Sequence, residues 1–253
     1  MRPSSEQVPA AILDPEPPPA FTLAEHLEEL RRRLGFSLAA LLAASCLSFS
    51  QVERIILWLY RPAEVSLPRL AFFSPTEPLV AYMRVAVLAG VLLAMPVILG
   101  QVWGFVRSGL TARERYHGAW FIGWGSLQFL AGAAFAYYAL LPISLRFLLG
   151  IGRWYLEPMI SLDRYLSFVT TMMFWSGLVF ELPVVLFVLA KAGVVTSEWL
   201  RQQRRYAILA LVVLSAVVTP TTDPVTLLLM AVPLIGLYEL SIWLTRVAVR
   251  ASR

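Results

Sequence analysis

Nineteen consecutive residues, Leu34 to Val52, carry no charge, and they follow directly on His26-Leu27-Glu28-Glu29-Leu30-Arg31-Arg32-Arg33. A run of that length matches the ~20 residues with which an α-helix crosses a bilayer. Backbone N–H and C=O groups in hydrocarbon must be bonded within their own segment, so the run is read as a transmembrane helix. The three arginines beside it favour keeping that end in the cytoplasm, because positive flanks resist translocation. Glu28 and Glu29, held at the interface, are placed to receive a positively charged partner.

The rest of the chain repeats the theme. Hydrophobic residues make up 58% of 253, and the charges sit in short islands. This describes several membrane crossings and excludes a large soluble core. A cleavable signal peptide is not expected, since Pro15-Glu16-Pro17-Pro18-Pro19 arrives before any apolar core of the required length. Residues 1–20 read as a disordered, Pro-rich tail. Cys46 is the single cysteine, which rules out an intrachain disulfide and any CxxC site. No metal, cofactor or nucleic-acid ligand is expected.

Uncharged runs place six spans at about 34–52, 79–103, 118–141, 166–190, 206–219 and 225–245. An even number puts both termini on one side. With these boundaries, fourteen Lys and Arg residues fall on the N-terminal side and seven opposite, counting Arg84 with its nearer end. That bias predicts both termini in the cytoplasm, with residues 247–253 as a short basic tail.

Local signals support the boundaries. Thr22 and Glu25 have capping-box spacing, and Leu23, Leu27, Leu30 and Leu34 share one face, predicting an amphipathic helix that leads into span one with Glu28 and Glu29 on its polar face. Ser74-Pro75-Thr76-Glu77 reads as an N-cap, a first-turn proline and a glutamate before span two. Asp223-Pro224 repeats the cap-then-proline order before span six. No internal repeat suggests the inverted halves of many transporters. The apolar part of span five, Tyr206 to Val218, has 13 residues. As a helix it covers about 20 Å of a hydrocarbon core about 30 Å thick. Bilayer thinning and shielding by neighbouring helices are equally good answers to that mismatch.

Glu181 lies deep in span four, within Phe180-Glu181-Leu182-Pro183. An ionised carboxylate at mid-membrane costs about 2.5 kcal/mol or more, so the group is expected to be protonated, paired or facing water. Such a residue is functional by default; the structural alternative is a neutral acid bonding to backbone that Pro183 releases. The other charges read more plainly. Glu28 with Arg32 and Glu29 with Arg33 have the i,i+4 spacing of surface ion pairs. Glu114, between Arg113 and Arg115, has the same reading. Arg84 is expected to snorkel from the start of span two, Asp223 to cap a helix, and Glu239 to sit at the interface.

Taken in order, several motifs make the chain resemble the TatC family, the multi-span receptor component of twin-arginine protein translocation. They begin with His26-Leu27-Glu28-Glu29-Leu30-Arg31 and Phe73-Ser74-Pro75-Thr76-Glu77. Pro96-Val97-Ile98-Leu99-Gly100-Gln101-Val102-Trp103 follows, then Gly109-Leu110-Thr111 with Glu114-Arg115. Spans three and four add Phe129, Gly132, Phe135, Tyr137, Pro142, Tyr165-Leu166-Ser167-Phe168 and Phe180-Glu181-Leu182-Pro183. Thr219-Pro220, Asp223, Pro233 and Tyr238-Glu239 complete the set. The resemblance covers about residues 21–246.

What the resemblance implies is an all-α integral membrane protein, a concave, glove-like bundle of six helices in the bacterial cytoplasmic (inner) membrane. It implies binding of twin-arginine signal peptides, recruitment of single-span TatA-type and TatB-type partners, assembly with further copies of itself, and export of folded proteins driven by the proton-motive force. Glu29 and Glu114 match the family's signal-binding acids, with Leu30, Leu110 and Arg115 as their expected neighbours. Carboxylates suit that task, because guanidinium offers forked donors that lysine cannot reproduce. Thr219 and Asp223 are carried over as partner-docking residues, and Glu181 as a polar group on the concave side. The chain departs from the family pattern at Ser108, where proline is common. It also has one extra residue in Pro220-Thr221-Thr222-Asp223, and Leu227 where glutamine is frequent.

Two rival classes differ by residues. An intramembrane enzyme needs a nucleophile with a base, or metal ligands, inside the bundle; His26 and His117 fall at its edges and no HExxH motif is present. A proton-coupled small-solute transporter would use Glu181 with helices broken at Pro96, Pro183 and Pro233.

Overall fold

The computed structural model describes residues 23–64, 70–107, 118–152, 154–155, 158–191, 193–219 and 223–250. The Pro-rich tail 1–20, Thr22, Ser108, Leu110, Glu114, Arg115, His117, the insertion at 220–222 and the last three residues lie outside them. Ten α-helices order the described residues: α1 Leu23–Phe49, α2 Val52–Tyr60, α3 Glu77–Val106, α4 Gly118–Phe135, α5 Leu141–Gly150, α6 Leu162–Phe180, α7 Leu182–Lys191, α8 Ser197–Gln202, α9 Arg204–Val218 and α10 Pro224–Arg250. A π turn, Ala136–Leu140, joins α4 to α5.

Five stretches among them are long and apolar enough to cross a membrane: Leu27–Phe49, Glu77–Val106, Gly118–Gly150, Leu162–Lys191 and Pro224–Arg246. The sixth expected span is α9. Its 15 residues reach only about 22 Å at ~1.5 Å per residue.

Three boundaries differ from expectation. The third span runs on to Gly150 instead of ending near residue 141. Proline there does not stop the helix, because Pro142 falls in the first turn of α5 and the π turn before it has already shifted the bonding, Leu141 N–H donating to the Ala136 carbonyl. In the fourth span the helix yields for one residue, Glu181, before α7 resumes; Pro183 has no N–H with which to continue the ladder. The start of α3 is also displaced. Ser74 does not cap it; its carbonyl accepts the Glu77 N–H at 3.1 Å in a preceding turn, and the helix opens at Glu77 with Pro78 in its first turn.

Helix α2 is additional to the expected elements. Val52, Ile55, Ile56 and Leu59 recur at helical spacing, and Val52 and Leu59 are buried. Its C-terminal carbonyls are taken by two tyrosines, with Tyr137 Oη donating to the Trp58 carbonyl at 2.6 Å and Tyr165 Oη to the Leu59 carbonyl at 2.7 Å. The Trp58 and Tyr137 rings stack at 3.9 Å. Beside them Ala71 and Ser161 form an isolated parallel bridge. Together these contacts close one end of the bundle, the Trp58 end.

The main core gathers Val85, Leu140, Tyr165, Leu166, Met230 and Leu234 from α3, the π turn, α6 and α10. Close approach of helices depends on glycine. A Cβ at Gly132 would come within 2.5 Å of the Ser176 carbonyl and 2.8 Å of Phe180 Cβ, and one at Gly177 within 2.9 Å of the Phe129 ring. Small residues at such crossings are how helices pack where lipid is as apolar as the core.

Helix α1 lies at the edge and packs mainly on α3. Its leucine stripe faces away from the protein, with Leu27 64% and Leu34 60% exposed. The expected helix is present, but its leucine stripe and Glu28, Arg31 and Arg32 all face outward, and only Glu29 and Arg33 among its described charged residues turn toward α3. Surrounding lipid is as apolar as a protein core, so leucine gains nothing by turning inward, and the Glu29–Arg33 pair can meet α3 instead.

Candidate functional site

The polar face of α1 turns Glu29 and Arg33 toward α3 at the opposite end of the bundle. Arg33 Nε and Nη2 both donate to Glu29 Oε1, at 3.0 and 2.5 Å, and Nη1 points to Gln101 Oε1 at 3.5 Å. The two side chains are only 16% and 21% exposed, so this i,i+4 pair is not a surface pair as its spacing suggested. Its room comes from Gly104 on α3, where any Cβ would overlap Arg33 Nη1. Among the described residues the other expected pair does not form: Glu28 and Arg32 both project outward, because their positions on α1 lie away from α3. Leu30, 36% exposed, borders the Glu29 turn.

This end is continuous across the bundle. Trp103 packs over Gly118 and against Phe121, their rings 4.9 Å apart. Trp120, stacked on Trp124 at 5.6 Å, faces Phe187 of α7. Farther round, Tyr238 Oη donates to the Leu200 carbonyl at 2.8 Å, and Arg204 pairs with Glu239 at 2.7 Å. The Arg204–Glu239 pair is exposed.

Glu181 occupies the break between α6 and α7 and is 5% exposed. Its Oε2 sits against Gly125 of α4, where a Cβ would lie 3.2 Å away, and its Oε1 is buried without a hydrogen-bond partner among the described residues. The bond to backbone released by Pro183 is not made by that oxygen. Desolvated carboxyl oxygen of this kind is costly and marks a position where polarity is retained.

Thr219 follows the end of α9, and Asp223 immediately precedes α10. Thr219 Oγ1 donates back to the Ser215 carbonyl at 2.9 Å, and Asp223 Oδ1 accepts the Thr226 N–H at 2.7 Å as the expected helix cap. Arg84 has a partner that its sequence context did not show. Its Nη1 bonds Asp163 Oδ1 on α6 at 2.5 Å, with the two side chains 33% and 28% exposed. Arg33, Gln101, Gly104 and Asp163 were not singled out from sequence as site residues. For Arg33 the signal was its spacing from Glu29; the other three contribute only through helix packing.

A profile of the family described as "Sec-independent protein translocase protein (TatC)" matches residues 25–233. The chain is 38% identical over 226 residues to the Sec-independent protein translocase protein TatC of Carboxydothermus hydrogenoformans, covering 89% of this chain and 93% of that one. With the TatC protein of Aquifex aeolicus it shares 40% identity over 235 residues, 91% of this chain and 97% of that one. A solved structure, "Crystal Structure of Twin Arginine Translocase Receptor- TatC", superposes with a TM-score of 0.78 at 40% identity, covering 89% of this chain and 100% of the other. The same receptor solved in DDM gives 0.79 at 41% identity over 87% and 99% of the two chains. These likenesses describe a multi-pass membrane component of a protein translocase, which is not an enzyme. On these grounds the chain belongs to the TatC family of Sec-independent protein translocase proteins.

Proposed function

We propose that this chain is the receptor and core subunit of a twin-arginine translocase, reading paired arginines of a signal peptide at the end of the bundle that carries Glu29. The observation that supports this most is the state of Glu29, a carboxylate set in the α1–α3 crossing, 21% exposed and already bonded by a guanidinium. A fully exposed ion pair contributes roughly 0.2 to 1 kcal/mol, too little for a receptor built on two arginines. Partial dehydration raises a charge-assisted bond to about 1.5 to 3 kcal/mol. In this reading Glu114, with Leu110 and Arg115, supplies the second acid, and Leu30 shields the first.

The same reading places the chain in a bacterial inner membrane with both termini cytoplasmic, as the arginine census favours. TatA-type and TatB-type single-span proteins dock beside Thr219 and Asp223, copies of the chain assemble together, and the proton-motive force drives export of folded cargo. Glu181 serves as a polar group inside the bundle.

The test is binding of a labelled twin-arginine peptide to the protein in lipid nanodiscs, against a twin-lysine version and the Glu29→Ala and Glu114→Ala variants. Arginine-selective binding that weakens about tenfold for each ~1.4 kcal/mol lost in the variants is expected. Equal weak binding throughout would reject the receptor reading, and uptake of a small solute by the protein alone would replace it with a transporter.

A further inference from the structure

We infer that Arg33 is an internal occupant of the slot into which a signal arginine binds, and that the signal must evict it. The inference rests on the receptor reading of Glu29. Three walls define the slot: the Glu29 carboxylate takes two nitrogens of one guanidinium, the Gln101 side-chain oxygen faces a third, and Gly104 leaves bare backbone beside it. A Cβ at Gly104 would lie 2.7 Å from Arg33 Cζ. Any side chain at position 104 would displace the guanidinium. Neighbouring Arg31 and Arg32 project outward, so burial of Arg33 follows from the slot and not from the arginine-rich sequence.

A slot shaped for one guanidinium is shaped for another. An incoming arginine replaces the bonds of Arg33 with equivalent bonds, nitrogen for nitrogen. An incoming lysine cannot, because an ammonium is compact, lacks the fork and leaves Gln101 or part of the carboxylate unmatched. Eviction costs either ligand the same free energy, so the slot walls carry the preference for arginine and Arg33 sets the threshold that a ligand must exceed. It also lowers apparent affinity for every ligand by the fraction of time the slot stands empty.

Binding of twin-arginine and twin-lysine peptides to nanodisc-embedded wild type, Arg33→Ala, Arg32→Ala and Glu29→Ala tests this. With a slot filled nine-tenths of the time, Arg33→Ala tightens twin-arginine binding about tenfold. Twin-lysine binding gains by the same factor, so selectivity is kept, while Arg32→Ala, which removes the same charge outside the slot, tightens neither. Weaker or unchanged twin-arginine binding in Arg33→Ala, with Glu29→Ala still harmful, would overturn the slot and leave the receptor reading standing. No arginine selectivity in wild type and no effect of Glu29→Ala would overturn both. Phenylglyoxal labelling of the wild type gives a readout independent of variant folding: saturating twin-arginine peptide should raise modification of Arg33, seen by peptide mass, and protection or no change would overturn eviction.

Discussion

Arg84 of α3 and Asp163 of α6 are joined across the Trp58 end, Nη1 lying 2.5 Å from Oδ1 and 3.2 Å from the Asp163 carbonyl. Their side chains are 33% and 28% exposed, so the pair is partly screened. Either Arg84→Ala or Asp163→Ala should destabilise the detergent-solubilised protein by about 1 kcal/mol. The double variant should cost less than the sum of the two, and additive losses in thermal unfolding would show that the pair is uncoupled.

Glycine substitutions should separate by what each Cβ meets. Gly132→Ala drives a methyl into the Ser176 carbonyl and Phe180, with an overpacking cost of about 1 to 3 kcal/mol. Gly90→Ala presses on the Ser45 backbone at 2.8 Å and should loosen α1, which has α3 as its main neighbour. Gly123→Ala meets open space and should be neutral or slightly stabilising. Equal melting temperatures for all three would contradict the packing described.

The two tyrosines under α2 offer a finer comparison. Tyr137→Phe keeps the ring stacked on Trp58 but removes the donor to its carbonyl. Tyr165→Phe does the same to the Leu59 carbonyl in a fully buried setting. Each should lose about 1 kcal/mol, with Tyr165→Phe the larger because its orphaned carbonyl has less access to water. Amide exchange at the end of α2 is the direct check.

Glu181→Gln preserves shape and polarity while abolishing titration. Export of a folded reporter should survive this change and fail in Glu181→Leu, as a site that needs a polar group in the bundle requires. Loss of export in Glu181→Gln with normal assembly would instead assign a proton-carrying role.

Much of the candidate site was legible before any coordinates. The Glu29–Arg33 spacing, the cap at Asp223 and the oddity of Glu181 are local features, and each holds its place in the fold. Five of the six expected spans coincide with helices long and apolar enough to cross a membrane, legible as uncharged runs because a charge in hydrocarbon is expensive wherever the helix points. The extension to Gly150 was not, since it turns on a π turn that reconciles Pro142 with a continuing helix. Glu114, Leu110 and Arg115 fall outside the described residues, so that half of the site rests on sequence alone.

By itself the sequence determined that this protein is a helical membrane protein of the TatC family. Backbone bonding four residues away and the expulsion of charge from lipid act within single segments. Only the tertiary structure decided that Arg84 meets Asp163, 79 residues along the chain, that the leucines of α1 face outward, and that Gln101 and Gly104 complete the seat of Arg33. Those outcomes depend on how each helix is rotated and how closely it approaches its neighbour. Packing sets both, through positions such as Gly90, Gly104 and Gly132 where the absence of a single Cβ lets two helices touch.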